Sequence, residues 1–294
     1  MANWNRMPRE INMIIEKMTS ESRLDSKREH AIFQTPLRLS SLEFEKDKSN
    51  GIRSVRMTHK GGNNIMEMKM NGGVLTINVY DDIRTISDRR EARRESRRIA
   101  DSLVIFLLKF RSVTVKDVVI SMDFPDCEVR SYRKIKCDMM YAGVNDIGKW
   151  LNRIDARHVY FNDSACVIDD RHSMEMIMKC ESVDMGVRNG ITNELLMSFK
   201  GRWLELGPSQ VTAQGINRFM KMMFRKRFPD EEVWFSFSVG NRRAMDILDG
   251  MRCRNIAVEL GDQGCIPQIA PHWTITRSRY SILFKLDNEE TDWD

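Results

Sequence analysis

The chain has 294 residues, 41% of them hydrophobic and 30% charged, with a formal net charge of +5. That length supports one or two domains with a real apolar core, and the composition excludes disordered, collagen-like and disulfide-scaffold classes. No apolar run approaches the roughly 18 residues of a membrane-spanning helix, and the opening residues lack a signal-peptide core, so an intracellular protein of cytoplasm or nucleus is expected.

Met7, Ile11, Ile14, Ile15 and Met18 recur at helical spacing, and Pro8 suits a first helical turn, where its missing N–H is not needed. The stretch 19–29 is polar. From 37 the period changes to two. Leu37, Leu39, Leu42 and Phe44 alternate with polar residues, followed by Ile52, Val55 and Met57, then Ile65–Met70 and Val74–Val79. Asn50-Gly51, Gly61-Gly62-Asn63-Asn64 and Asn71-Gly72-Gly73 separate these runs, and such residues accept the positive φ of tight hairpins. The pattern predicts an antiparallel meander over 36–86.

Between Arg84 and Arg98 stand seven arginines and three acids, so this stretch alone carries +4 of the net charge. It opens a predicted helix from Asp88 to Phe110, with Asp88 and Glu91 set for a capping box and Ile99, Leu103, Leu107 and Phe110 as its inner stripe. Glu91 with Arg94, and Glu95 with Arg98, are spaced to pair. Arginines on one helix also suit a phosphate backbone, and nucleic-acid binding through 84–98 is the alternative function.

Short apolar strands then alternate with helical segments: Val118–Ile120, a strand near 135–139, Val159–Phe161, Val183–Met185, Trp203–Leu206 and Val233–Phe237. From Val159 the steps to Val183, Leu204 and Val233 are 24, 21 and 29 residues. Such spacing predicts an α/β fold of leucine-rich-repeat-like strand–helix repeats with a mostly parallel sheet over 87–250. The antiparallel meander precedes it, after a short helical segment over 1–35. Strands over 251–286 follow it, and the acidic tail from Asp287 is expected to fray.

The motifs for chemistry are weak. Gly143, Gly148 and Lys149 have the spacing of a phosphate-binding loop, but Trp150 stands where a magnesium-ligating hydroxyl is needed. Trp150 fits instead the apolar face of a helix with Ile147, Leu151 and Ile154. Asp169, Asp170, Arg171 and His172, like Asp230, Glu231 and Glu232, read as loop charge. Trp234, Phe235 and Phe237 read as core, and Arg218, Lys221, Arg225, Lys226 and Arg227 as a solvated helix face. The six cysteines and five histidines show no metal-ligand spacing. No cofactor, metal or catalytic residue is expected.

The stretch Ile191–Lys200, then Trp203-Leu204-Glu205-Leu206, then Thr212–Lys221 resembles nematode F-box-associated regions. Those run as a helix, a Leu-x-Leu strand, a Thr-initiated helix and a further strand, the last occupied here by Val233–Phe237. Arg98–Met122 is similar to their opening helix and strand. Trp4–Ile11, continuing through Ile14, Ile15 and Met18, resembles the start of an F-box, here in degenerate form. The resemblance implies a substrate-recruiting subunit of a Skp–cullin–F-box ubiquitin ligase, with no chemistry of its own. A Skp-type adaptor would dock on Met7, Pro8, Ile11, Ile14, Ile15 and Met18, as a groove takes an amphipathic helix. The C-terminal region would hold a target protein on residues the sequence leaves unknown.

Overall fold

The structure is a computed structural model. It describes residues 8–21, 33–34, 36–47, 49, 51–125, 133–144, 147–161, 167–226, 228, 232–238, 244–249, 254–256, 259–260, 263–268, 273–277 and 281–286. They fall into two units, 1–157 and 158–294. The expectations for Met7, Arg227, Asp230, Glu231 and the tail from Asp287 lie outside the described residues, as does that for the Met18 side chain. No described helix is long and apolar enough to cross a membrane.

The first unit carries α1 (Arg9–Glu21), β1 (Leu37–Lys46), β2 (Arg53–His59), β3 (Asn64–Asn71), β4 (Val74–Val79) and β5 (Asp82–Ile86). It continues with α2 (Arg89–Leu107), β6 (Val113–Ser121), β7 (Ile135–Ala142) and α3 (Gly148–Leu151). The sheet order is β7-β6-β1-β2-β3-β4-β5. β1 to β5 form the expected antiparallel meander. β1 also pairs in parallel with β6, and β6 with β7, so the meander's first strand is where antiparallel pairing gives way to parallel.

The sequence rhythm in β1 has a local cause. Leu37 and Leu39 are buried, and then Leu42 and Phe44. The phase break coincides with a register shift between Leu39 and Ser41, where the Ser40 hydroxyl donates to the His59 carbonyl at 2.9 Å. An inserted residue of this kind returns the following side chains to the same face. The aligned strands β6 and β7 break phase at the same level, from Val113 and Val115 to Val118 and Ile120, and from Ile135 and Cys137 to Met140 and Ala142. β5 was not anticipated. It is a polar edge strand whose Ile83 is 62% exposed, and it enters through a two-residue turn in which Tyr80 and Asp81 both take positive φ.

α2 begins as its cap predicts, the Asp88 carboxylate accepting from the Glu91 N–H at 2.7 Å. Ile99, Leu103, Leu107 and Phe110 are buried. Of the two expected ion pairs, Glu95–Arg98 forms at 2.7 Å, while Arg94 reaches Glu95 at 3.6 Å. Arg53 pairs with Asp101, and its backbone N–H donates to the Ser96 hydroxyl, tying β2 to the helix.

β8 (Ile154–Phe161) runs across the 157/158 boundary, and the second unit continues with β9 (Val167–Ile168), α4 (Arg171–Ile177), β10 (Ser182–Met185), β11 (Arg188–Asn189), α5 (Asn193–Ser198) and β12 (Trp203–Leu206). After them come α6 (Ala213–Met223), β13 (Val233–Ser238), α7 (Ala244–Leu248), β14 (Arg254–Ile256), β15 (Glu259–Leu260), β16 (Gln263–Gln268), β17 (Trp273–Arg277) and β18 (Ser281–Leu286). β8, β10, β12 and β13 run parallel in that order, and β18 closes the row antiparallel to β13, with β17 and β16 beyond. The strand–helix alternation thus yields the expected α/β parallel sheet. Register aligns Val159 with Val183 and Val183 with Leu204, as the spacing predicts. Leu204 aligns with Phe235, two residues beyond Val233, because the last crossover carries the 11-residue α6 where α4 and α5 have 7 and 6.

Each of these helices starts on a side-chain cap: Asp170 accepts from Ser173 N–H, Thr192 from Leu195 N–H and Thr212 from Gly215 N–H. Successive crossovers also touch through backbone. β9 pairs with β11, and the Asn189 N–H donates to the Pro208 carbonyl at 3.0 Å. Glycine permits this closeness at Gly201 and Gly207, where a Cβ would run into the carbonyls of Glu181 and Gly186.

Candidate functional site

Strand alternation in the second unit sorts its side chains into two faces. Val159, Phe161, Val183, Met185, Leu204, Leu206, Val233, Phe235, Phe237, Ile282 and Phe284 are buried. The opposite face is mostly half-exposed and mixed in chemistry. Register lays it out in two rows: His158, Ser182, Trp203, Trp234 and Lys285, then Tyr160, Asp184, Glu205, Ser236 and Leu283.

Two features stand out on this face. Trp203 and Trp234 stack with ring centroids 5.0 Å apart and planes 5° from parallel. The Trp234 Nε1 is buried and has no hydrogen-bond partner among the described residues. Beside them, Asp184 and Glu205 are direct register neighbours on β10 and β12. Burial pushes the Asp184 carboxyl above its usual range, against the pull of the Gly186 N–H that donates to it at 3.2 Å. Glu205 is likewise raised, first by burial and then by the charge of Asp184. No cation among the described residues pairs with either carboxylate. The face thus sets a stacked indole pair beside two neighbouring acids, with Ser182 and His158 as register neighbours in the row of the indoles.

The residues expected to hold an adaptor lie elsewhere. Pro8, Ile11, Ile14 and Ile15 are buried, with Ile11 and Ile14 at 0% exposure. α1 packs on α2 and β4, held at its rim by Glu10–Arg84 at 2.9 Å, Arg9–Asp82 at 3.4 Å and Lys17 over the Tyr80 ring. The apolar stripe read as a docking face is occupied by the body of the first unit. Its outer side leaves Arg9, Asn12, Met13 and Glu16 around a shallow concavity with Asp82.

Several of the remaining motifs take structural roles. Trp150 is 1% exposed, packs on Phe44 and Phe124, and donates its Nε1 to the Met122 carbonyl at 2.9 Å. Asp170 caps α4, and the Ser173 hydroxyl and N–H hold its carboxyl below the usual range, while Arg171 pairs with Glu175 at 2.9 Å. A concavity of about 550 Å³ lies between α4 and α5, yet its Glu175 is the carboxylate held by Arg171. Lys221 donates to the Asp249 carbonyl. The arginines at 89, 90, 93, 94, 97 and 98 line the exposed side of α2, with Arg94 and Arg98 reaching Glu95 and Arg97 reaching Asp101. No group of three or more metal-ligating side chains gathers among the described residues.

Phe235 and Phe237 are core, as read, whereas Trp234 belongs to the open face. The signal for the missed residues was the parity of two strands. In Trp-Leu-Glu-Leu and Val-Trp-Phe-Ser-Phe the alternate positions Leu204, Leu206, Phe235 and Phe237 face inward, which turns Trp203, Glu205, Trp234 and Ser236 outward. No family model, no curated protein and no solved structure matches this chain.

Proposed function

We propose that the chain is a binding subunit that performs no bond-breaking and holds another polypeptide on the open sheet face of the second unit. The observation that carries this is the stacked Trp203–Trp234 pair standing half-exposed on a parallel sheet whose other side is covered. Aromatic anchors of this kind dominate protein interfaces, because they bury much area at small entropic cost. We read the strand–helix succession as leucine-rich-repeat-like, which presents such a face as a broad platform.

The resemblance supplies the setting: substrate recruitment for a Skp–cullin–F-box ubiquitin ligase. With Ile11 and Ile14 committed to the fold, the adaptor contact falls to the outer side of α1, around Met13. Co-expression with a Skp-type adaptor tests this. A complex surviving gel filtration and lost in Met13→Asp is expected; no complex removes the ligase role. The binding role is tested separately, with the full chain as bait. A bound target lost on Trp203→Ala and Trp234→Ala, at unchanged circular dichroism, is expected; equal retention overturns it.

A second reading draws on the six exposed arginines of α2. Nucleic-acid binding there demands affinity that falls steeply with salt, and a flat response removes it.

A further inference from the structure

We propose that the open face of the second unit receives an arginine side chain from an extended segment of the polypeptide it holds, the guanidinium stacking on the Trp203–Trp234 pair and forking onto Asp184 and Glu205. This rests on the reading of that face as the surface that holds a polypeptide.

Placement comes first. Across neighbouring strands side chains are about 4.8 Å apart, and two residues along a strand they are about 6.6 Å apart. Trp203 and Glu205 are such neighbours along β12, Glu205 and Asp184 such neighbours across to β10, and Trp203 and Trp234 such neighbours across to β13. All four therefore lie within the reach of one long side chain.

The chemistry is selective. Like charges set side by side on a sheet destabilise it, and here both carboxylates are partly withdrawn from water with no compensating cation among the described residues. A fold that keeps this pair next to an aromatic plate offers what a bound cation would relieve. Lysine supplies charge alone. Arginine supplies a planar fork that matches carboxylate geometry, and a flat face that stacks on indole. The partner is thus a basic segment, chosen by charge complementarity with the acid pair.

The experiment uses the full chain and a capped hexapeptide alternating arginine with serine, with citrulline and lysine counterparts, followed by calorimetry and tryptophan fluorescence. The arginine peptide is expected to bind about tenfold more tightly than the lysine peptide, and the citrulline peptide to lose binding. The paired variant Asp184→Asn with Glu205→Gln is expected to weaken the arginine peptide at least about tenfold while its Tm at pH 7 stays at or above wild type, which separates the loss from misfolding. Glu194→Gln, on α5, is expected to change nothing. Unchanged affinity in the paired variant, equal binding of the citrulline or lysine peptide, or no binding of the arginine peptide overturns the proposal. If it falls while a captured target still depends on Trp203 and Trp234, the cation is wrong and the surface stands. If the target ignores both tryptophans, the surface itself is wrong.

Discussion

The carboxylates of Asp184 and Glu205 sit side by side on two parallel strands, and each is held above its ordinary value. The folded chain therefore binds a proton at these sites more tightly than the unfolded chain does. Below the ordinary carboxylate range both states are protonated, and there is no penalty. Above the raised values both carboxylates are ionised, and the penalty is complete. Stability thus falls as pH rises through that window. Glu205→Gln is expected to raise stability at pH 7 by about 0.5 kcal/mol, the scale of a cross-strand charge pair. The gain should fade at a second pH below the ordinary carboxylate range, where folded and unfolded chains are both protonated. Melting curves at the two pH values check this, and an equal gain at both counts against it. At Trp150, replacement by Phe keeps most of the packing but strands the Met122 carbonyl, and is expected to cost about 1–3 kcal/mol by denaturant titration. The sequence showed that Trp150 spoils a phosphate loop and suits an apolar face. The carbonyl it serves, 28 residues earlier in the chain, was beyond local pattern.

Among the elements, α1 teaches the most. Its apolar stripe and its first-turn proline were plain in the sequence, and the helix forms. Spacing records only that the stripe must be covered, and an amphipathic helix looks the same whether its cover is its own body or a partner. Here the cover is α2 and β4. Ile11→Asp is therefore expected to destabilise the first unit by about 3 kcal/mol or more, because it buries an unpaired charge. An unchanged melting curve would mean that α1 is not docked in solution. In the second unit the strand–helix crossovers pack through glycine. Gly201→Ala is expected to cost about 1–3 kcal/mol, since its Cβ would press on the Glu181 carbonyl and the Phe199 ring. An equally stable variant, judged by its urea midpoint, would show that these crossovers separate more freely than drawn. The meander was legible because Gly and Asn mark its turns. β5 was not, since its turn is made by Tyr80 and Asp81 and its residues are mostly polar.

For the whole molecule, each unit has a row of parallel strands flanked by antiparallel ones. Amide exchange is expected to be slowest in β1, β6, β10 and β12, which have a paired strand on both sides, and fast along β5, which among the described residues pairs only with β4. Comparable rates in β5 and β1 would contradict this order of pairing. The sequence by itself determined the α/β class, the meander and the strand–helix succession, because those follow from periods of two and 3.6 along one stretch of chain; it missed the buried starts of β6 at Val113 and Val115, and Ile154, read on a helix face, opens β8. Only the tertiary structure decided that α1 is spent on its own unit and that β1 joins meander to parallel strands. It alone set Trp203 beside Trp234 and Asp184 beside Glu205. Those pairings are fixed by inter-strand register, which depends on crossover lengths and on what covers each face, and no local period encodes either.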